Sequence, residues 1–331
     1  MKRKAPGFDW LKRAGTLVPD GEWFVEYFTP GEMHAHRAEQ VLETSSTAFQ
    51  DAALLRTRTF GKVLVLDGET QSSQYDEAFY HESLVYPALL AHPRPRKALI
   101  LGGGEGATAR DILNRRDVEL VVMADIDYNI LRFAREHLGE WHRGAFADPR
   151  LRLLAQDATR VIERGEHKFD LIYSDLPSPV EGGPAVALYT AEFYRKLKRA
   201  LAPGGVFTVQ AGPGTPLQFG LHPAIFNTLR RVFRHVGSYA TFIPSYDMPW
   251  TFLYCTDSPR LAPERLSAAA LDRAAAARLK RPLRYSDGRT ITGAFVLPKY
   301  YRDRIKASRA VITAARPMFF STSHDQHTEQ I

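Results

Sequence analysis

The chain has 331 residues, of which 44% are hydrophobic, enough for a sizeable buried core and ordinary for a soluble globule. Its 44 Lys and Arg against 37 Asp and Glu give a modest net charge of +7, and no RNP-like or zinc-finger motif accompanies it, which argues against a nucleic-acid partner. Cys255 is the one cysteine, excluding an intrachain disulfide and a cysteine-built metal site. No apolar run reaches the about 18 residues of a membrane span and no secretory apolar core opens the chain, so a cytoplasmic protein with no membrane partner is expected.

In chain order, MKRKAPGFDWLKR predicts a basic terminal tail over residues 1–22, since charged termini rarely pack. From Trp23 to about residue 92, short alternating segments such as FVEYFTP and LLRTRTFGKVLVLDG predict a small β-hairpin domain. Over 93–300 the rhythm changes. Apolar strands KALILG, ELVVMAD, LRLLAQD, FDLIYSD and GVFTVQAG alternate with helical stretches such as DYNILRFAREHLGEW and AEFYRKLKRAL, which predicts βαβ units and a parallel sheet covered on both faces. Pro203-Gly204-Gly205 is expected to break the chain before the fifth strand, residues 262–281 to form a surface helix, and 301–331 to be a C-terminal extension.

The first of those strands turns through GGGEG into a helix. Gly102, Gly104 and Ala107 fit G-x-G-x-x-G/A, in which missing side chains permit a tight turn and a close ligand approach. The fold class is therefore α/β: a doubly wound, Rossmann-like sheet preceded by the small β-hairpin domain. Glu105 sits inside the turn, where a dinucleotide enzyme seats phosphate on helix N–H groups. An anion is repelled there and a cation welcomed.

The next three strands also end in an acid. Asp125 lies 19 residues after Gly106, the spacing at which a carboxylate meets ribose hydroxyls. Asp157 with Ala158 is placed for a nucleobase edge, and Asp175 ends the fourth strand. Either of the middle two acids could serve as a helix cap. Glu105 and Asp175 both aim at the crevice centre, and carboxylates about 4–6 Å apart raise one another's pKa unless a cation lies between them. The expected ligand is positively charged at its reactive end. No metal is expected, since no HExxH-type spacing or Cys/His cluster occurs.

Several longer stretches resemble the polyamine aminopropyltransferases, the spermidine and thermospermine synthases: AFQDAALLRTRTFGKVLVLDGETQSSQYDEAFYHE, LILGGGEGATARDIL, FDLIYSD, GGPAVALYTAEFY and LAPGGVFTVQ. The Glu of GGGEGA and the LYTAEFY stretch are more similar to the thermospermine and agmatine branch. The resemblance implies transfer of the aminopropyl group of decarboxylated S-adenosylmethionine, a co-substrate, to an amine acceptor, with no separate cofactor and with a homodimer or homotetramer as the assembly. It further implies that Gln50, Asp125 and Asp157 hold the methylthioadenosine portion, with Glu105 and Asp175 on the ammonium of the aminopropyl arm. By the same resemblance Tyr80 and His81 face the reaction centre from the β-domain. Tyr80, Tyr246 and Gln210 would orient the acceptor, and Asp175 would act as base.

Two departures stand out. Family members read D-x-x-D-P after the fourth strand, whereas this chain reads Asp175-Leu-Pro-Ser178-Pro, so Ser178 takes the place of an acceptor carboxylate. IPSYDMPWTF replaces the family's IPTYPSG stretch and brings Asp247 as a substitute acid. The expectation is an intact donor site with an altered acceptor pocket. An S-adenosylmethionine methyltransferase shares the sheet and the ribose acid, but its cofactor keeps a carboxylate that Glu105 would oppose. A dinucleotide dehydrogenase meets the same objection.

Overall fold

The computed structural model describes residues 21–29 and 31–320; nearly all of the expected 1–22 tail, and residues 321–331 of the extension, lie outside the described residues. The chain opens with β1 (Glu22–Thr29), β2 (Glu32–Ser46), β3 (Asp51–Thr57), β4 (Gly61–Leu66) and β5 (Glu69–Ser73), an antiparallel meander in sequential order. By the two-residue repeat of a strand, Ala52 and Leu54 of β3 share one buried face, and Leu55 lies on the other, where it packs with Val63 and Val65.

Helix Glu77–Ala91 then crosses to the second unit, so the small domain ends near residue 76 rather than at 92. All of this helix except Phe79 and Tyr80 is buried. A helix buried all round shows no amphipathic stripe, which is why its sequence reads as a continuation of the hairpins. Leu84, Val85 and Leu89 have no exposed surface and pack with Ala98, Ile100 and Leu171 of the large sheet, each worth about 1.5–3 kcal/mol of burial. Tyr80 and His81 accordingly belong to a helix of the large unit and do not project from the β-domain.

The large sheet contains β6 (Lys97–Gly102), β7 (Leu120–Asp125), β8 (Leu151–Ala155), β9 (Phe169–Asp175), β10 (Leu201–Pro213), β11 (His235–Ile243) and β12 (Met248–Thr256), in the order β11-β12-β10-β9-β6-β7-β8. The five expected strands are parallel, and β11 and β12 add an antiparallel margin. Strand β10 starts at Leu201, before Pro203-Gly204-Gly205, and its register with β9 shifts between Leu201 and Val206. Those three residues form an irregularity inside the strand and do not precede it.

The strand order reverses at β6, which pairs in parallel with β7 on one side and β9 on the other. Such a switch point opens a crevice beyond the strand ends. A third apolar cluster joins Ala52, Leu54 and Leu64 of the small domain to Ala107, Ile130 and Trp141 of the large one, so the meander forms a wall over that crevice. In the 262–281 stretch, helix Ala268–Arg278 buries only Leu271. Among the described residues, no helix is long and apolar enough to cross a membrane.

Candidate active site

A cavity of about 340 Å³ lies at the switch point. Gly102 to Glu105, Asp125, Asp157 and Asp175 line it from the strand ends, and Gln50, Leu64 and Leu66 line it from the small domain. The turn is pressed against its acids. Gly102 has φ +78, and a Cβ there would stand 2.4 Å from the Asp175 carbonyl oxygen, which already accepts the Gly103 N–H at 2.9 Å. A Cβ on Gly104 would come within 3.0 Å of Asp125 Oδ2.

The two central acids are in unlike surroundings. His81 Nε2 is 2.7 Å from Glu105 Oε1, and His81 Nδ1 is 2.7 Å from the Glu77 carbonyl oxygen and 3.4 Å from Glu77 Oε2. Both ring nitrogens meet acceptors, a pattern that only the imidazolium satisfies at both ends. Burial opposes its charge, but hydrogen bonds to Glu105 and Glu77 outweigh burial and hold the His81 pKa well above its ordinary value. Burial also pushes Glu105 up, and there too the His81 bond and charge prevail, leaving Glu105 below the usual carboxylate range.

Asp175 has no such cation. Tyr80 donates its hydroxyl to Oδ1 at 2.9 Å and Thr108 donates to Oδ2 at 2.6 Å. Burial, then the Glu105 charge, push the Asp175 carboxyl up to about 6 against the pull of His81, Thr108 and Tyr80. Facing atoms of His81, Glu105 and Asp175 lie within 4.8 Å of one another, so mutual repulsion is relieved for one acid and felt by the other. A metal ion drawn to this trio would compete with the proton His81 carries. Burial keeps the Tyr80 hydroxyl far above its ordinary pKa, hence a donor to Asp175.

His81 is 1% exposed and stands behind Glu105, outside the residues that line the cavity. Asp125 does line the cavity. Burial foremost pushes its carboxyl up to about 7, with the charges of Asp127, Glu105 and Asp175 adding and the Asp127 N–H, donated at 2.9 Å, opposing. Asp157 lines the cavity and caps helix Ala158–Arg164 through Thr159 N at 2.7 Å, and Ala158 completes that wall. Gln50 donates to Asp127 Oδ2 at 3.2 Å, and Thr47 to the same oxygen at 2.6 Å.

The far side is built from distant segments. Tyr246 donates to the Gln71 carbonyl at 2.5 Å and meets Tyr80 and Trp250 edge-on, with ring centroids 6.4 and 5.1 Å away. Gln210 donates to Leu176 O and Tyr189 Oη at 2.8 and 2.9 Å, and accepts from Gly212 N and Trp250 Nε1 at 3.0 and 3.2 Å. Its amide is saturated, so it latches the 176–189 loop instead of offering a free group. Ser178 lines the cavity. Asp247 does not: it is 69% exposed, 3.7 Å from His34, on the outer side of its turn.

Two residues not singled out from sequence also matter. Thr108 was legible as a hydroxyl on the first turn of the helix after the glycines. Asp127 was legible from the D-x-D run before helix Tyr128–His137, whose Asn129 and Ile130 N–H groups it caps at 3.0 and 3.3 Å.

Comparison with known proteins adds to this geometry. The family model described as the spermine/spermidine synthase domain matches residues 77–263, and the one described as the spermidine synthase tetramerisation domain matches 22–74. The polyamine aminopropyltransferase of Aeropyrum pernix is 43% identical over 301 residues, covering 90% of this chain and 95% of that protein. Polyamine aminopropyltransferase 2 of Hyperthermus butylicus is 42% identical over 294 residues, covering 89% and 95%. The spermidine synthase structure from Thermotoga maritima superposes with a TM-score of 0.77 at 24% identity, over 90% of this chain and 100% of that one, a likeness of fold.

Proposed function

The chain belongs to the spermine/spermidine synthase family and is a polyamine aminopropyltransferase, and from that premise we propose how its cavity works. The aminopropyl group of decarboxylated S-adenosylmethionine moves to the amine of a polyamine or related acceptor of the thermospermine, spermidine or agmatine type, releasing methylthioadenosine. Methyl transfer finds no support among the comparisons. Asp125, Asp157 and Gln50 face the nucleoside portion, Glu105 holds the ammonium of the arm, and Asp175 takes the acceptor proton. We assign the protein an oligomeric state, homodimeric or homotetrameric, on its match to the tetramerisation domain.

The observation that carries this reading is the asymmetry of the two central acids. A neutral amine attacks the carbon beside the sulfonium, the carbon–sulfur bond breaks with its electron pair going to sulfur, and one amine proton must leave. An alkylammonium has a pKa near ~10.4. Passing its proton to a carboxyl at about 6 runs uphill by about 6 kcal/mol, whereas an ordinary Asp would make that about 9. Holding amine, carbon and sulfur in line supplies roughly 7–11 kcal/mol at best. The raised Asp175 lowers the cost of that proton transfer by about 3 kcal/mol relative to an ordinary Asp, and Glu105, paired with His81, is left as a fixed anion.

The test is methylthioadenosine release from the decarboxylated donor with a panel of diamines, triamines and agmatine. Asp175→Asn keeps the shape and removes the base, and is expected to lower kcat/KM by about 10²–10⁴. In the unaltered enzyme, kcat/KM should fall as pH drops through about 6, because the acid form of Asp175 accepts no proton. Near-normal turnover by the variant would remove Asp175 from the base role.

A further inference from the structure

Behind Glu105 runs a line of buried charges that do not themselves line the cavity. Glu77 is 3% exposed and Arg110 is 4% exposed. Arg110 Nη2 donates to Glu77 Oε2 at 2.9 Å, its Nε to Asp111 Oδ1 at 2.8 Å and its Nη1 to the Trp141 carbonyl at 2.7 Å. Arg284, from the segment after helix Ala268–Arg278, donates to Glu77 Oε1. That segment is itself fastened to the same helix as His81, because Glu82 accepts the N–H groups of Arg284, Tyr285 and Ser286 at 2.7, 2.9 and 2.7 Å.

We propose that Glu77 and Arg110 are positioning residues for the transfer: the guanidinium fixes the Glu77 carboxylate, the Glu77 carbonyl and carboxylate together hold the proton on His81 Nδ1, and His81 keeps Glu105 the permanent anion, leaving Asp175 as the one of the two central acids able to take a proton. The proposal rests on the aminopropyl-transfer reading and explains how two neighbouring carboxylates are given different work.

The geometry distinguishes this from a merely structural ion cluster. A cluster that only glued helix to helix would need no member facing the cavity, and this one ends on Glu105, which lines it. The order of charges is also alternating: Arg110, Glu77, His81, Glu105. Each contact within it is a charge-assisted hydrogen bond or short ion pair in a site shielded from water, where such bonds are strongest. The groups facing His81 are Glu77 and Tyr80 from its own helix, Glu105 from the glycine turn and Asp175 from β9. Arg110, Arg284 and the more distant Arg143, 3.8 Å from Glu77, act on it through Glu77. Three carboxylates facing the ring and three arginines acting through Glu77 make its protonation a property of the arrangement.

Two measurements test the relay. In the unmodified protein, ¹⁵N resonances of the His81 ring should show both nitrogens protonated at pH 8; a neutral ring there overturns the proposal, and this readout needs no turnover. In Glu77→Gln, the acid limb of the kcat/KM profile should move up by about one pH unit or more and the donor KM should rise about tenfold, with Glu77→Asp restoring both. An unmoved limb in a folded Glu77→Gln protein overturns the relay while leaving aminopropyl transfer intact, whereas absence of methylthioadenosine in the unmodified enzyme overturns transfer itself. If no Glu77 variant folds, the ring nitrogens of the unmodified enzyme decide the question.

Discussion

The two sides of the cavity are assembled in different ways. The glycine-turn side hangs on consecutive strand ends, with each acid placed by the residue that terminates a strand and by the turn that follows. The far side joins the 176–189 loop, the Tyr246 turn, Trp250 on β12 and the Gln71 carbonyl, segments up to 179 residues apart in sequence, held by hydrogen bonds through Gln210 and Tyr246. Where geometry comes from local backbone, a side chain cannot be added without displacing the chain. Where it comes from side-chain latches, substitution changes the pocket and leaves the fold.

The largest expected effect tests the first half of that contrast. Gly102→Ala must place a methyl 2.4 Å from a backbone oxygen at φ +78, and should cost roughly 2–4 kcal/mol of stability with loss of donor binding. Gly182→Ala on the far loop has a similar φ of +75 and nothing within 4 Å. It meets only the left-handed backbone penalty of about 1–2 kcal/mol. Thermal melts of the two variants measure the difference, and equal losses would mean that the turn is no more confined than the loop.

A gain on the far side comes next. Ser178→Asp returns a carboxylate to the cavity wall, and a charge-assisted contact with an ammonium is worth about 1.5–3 kcal/mol. The acceptor KM should fall by about tenfold or more while the donor KM holds, as measured with each amine in the panel. A parallel rise in donor KM would show that the two sides are electrostatically one.

Asp125→Asn should act in opposite directions on folding and on binding. The folded-state pKa of Asp125 is raised to about 7 by burial. Its ionisation therefore costs stability that is absent at low pH, grows as pH rises toward about 7 and is constant above. Asn removes that cost and should raise Tm by a few degrees at pH 8, less at pH 5, while raising the donor KM. Discounted for the opening of Asp125 onto the cavity, the gain is about 1 kcal/mol. A lower Tm at pH 8 would show that the carboxylate is stabilised by contacts stronger than burial.

The same contrast governs what the sequence could reveal. The glycine turn and its strand-end acids were readable because strand alternation, turn glycines and a carboxylate at the strand terminus are neighbours in the chain. His81 was readable as a site residue but not in its place, since its partner Glu77 lies one turn back on a helix whose uniform burial hid its helical character. Gln210 could be picked out by type and position, yet its saturation depends on Tyr189 and Trp250, which only the folded chain brings together. The antiparallel strands β11 and β12 escaped notice because they follow the regular βαβ alternation that announced the other five.

Asp247 gives the smallest expected effect and the sharpest check on the far side. It sits at φ +52, a conformation that Asn adopts at least as readily as Asp and far more readily than most residues, so Asp247→Asn removes the charge with the turn preserved. Its partner His34 lies 3.7 Å away at a site open to water, where an ion pair contributes about 0–1 kcal/mol. Stability should change by less than about 0.5 kcal/mol, and the acceptor KM should stay within about twofold for every amine. A selective rise for long acceptors would place the Asp247 carboxylate against the bound amine. The hairpin between β11 and β12 would then have to swing inward on binding, and the far side would be completed by the substrate rather than by the latches of Gln210 and Tyr246.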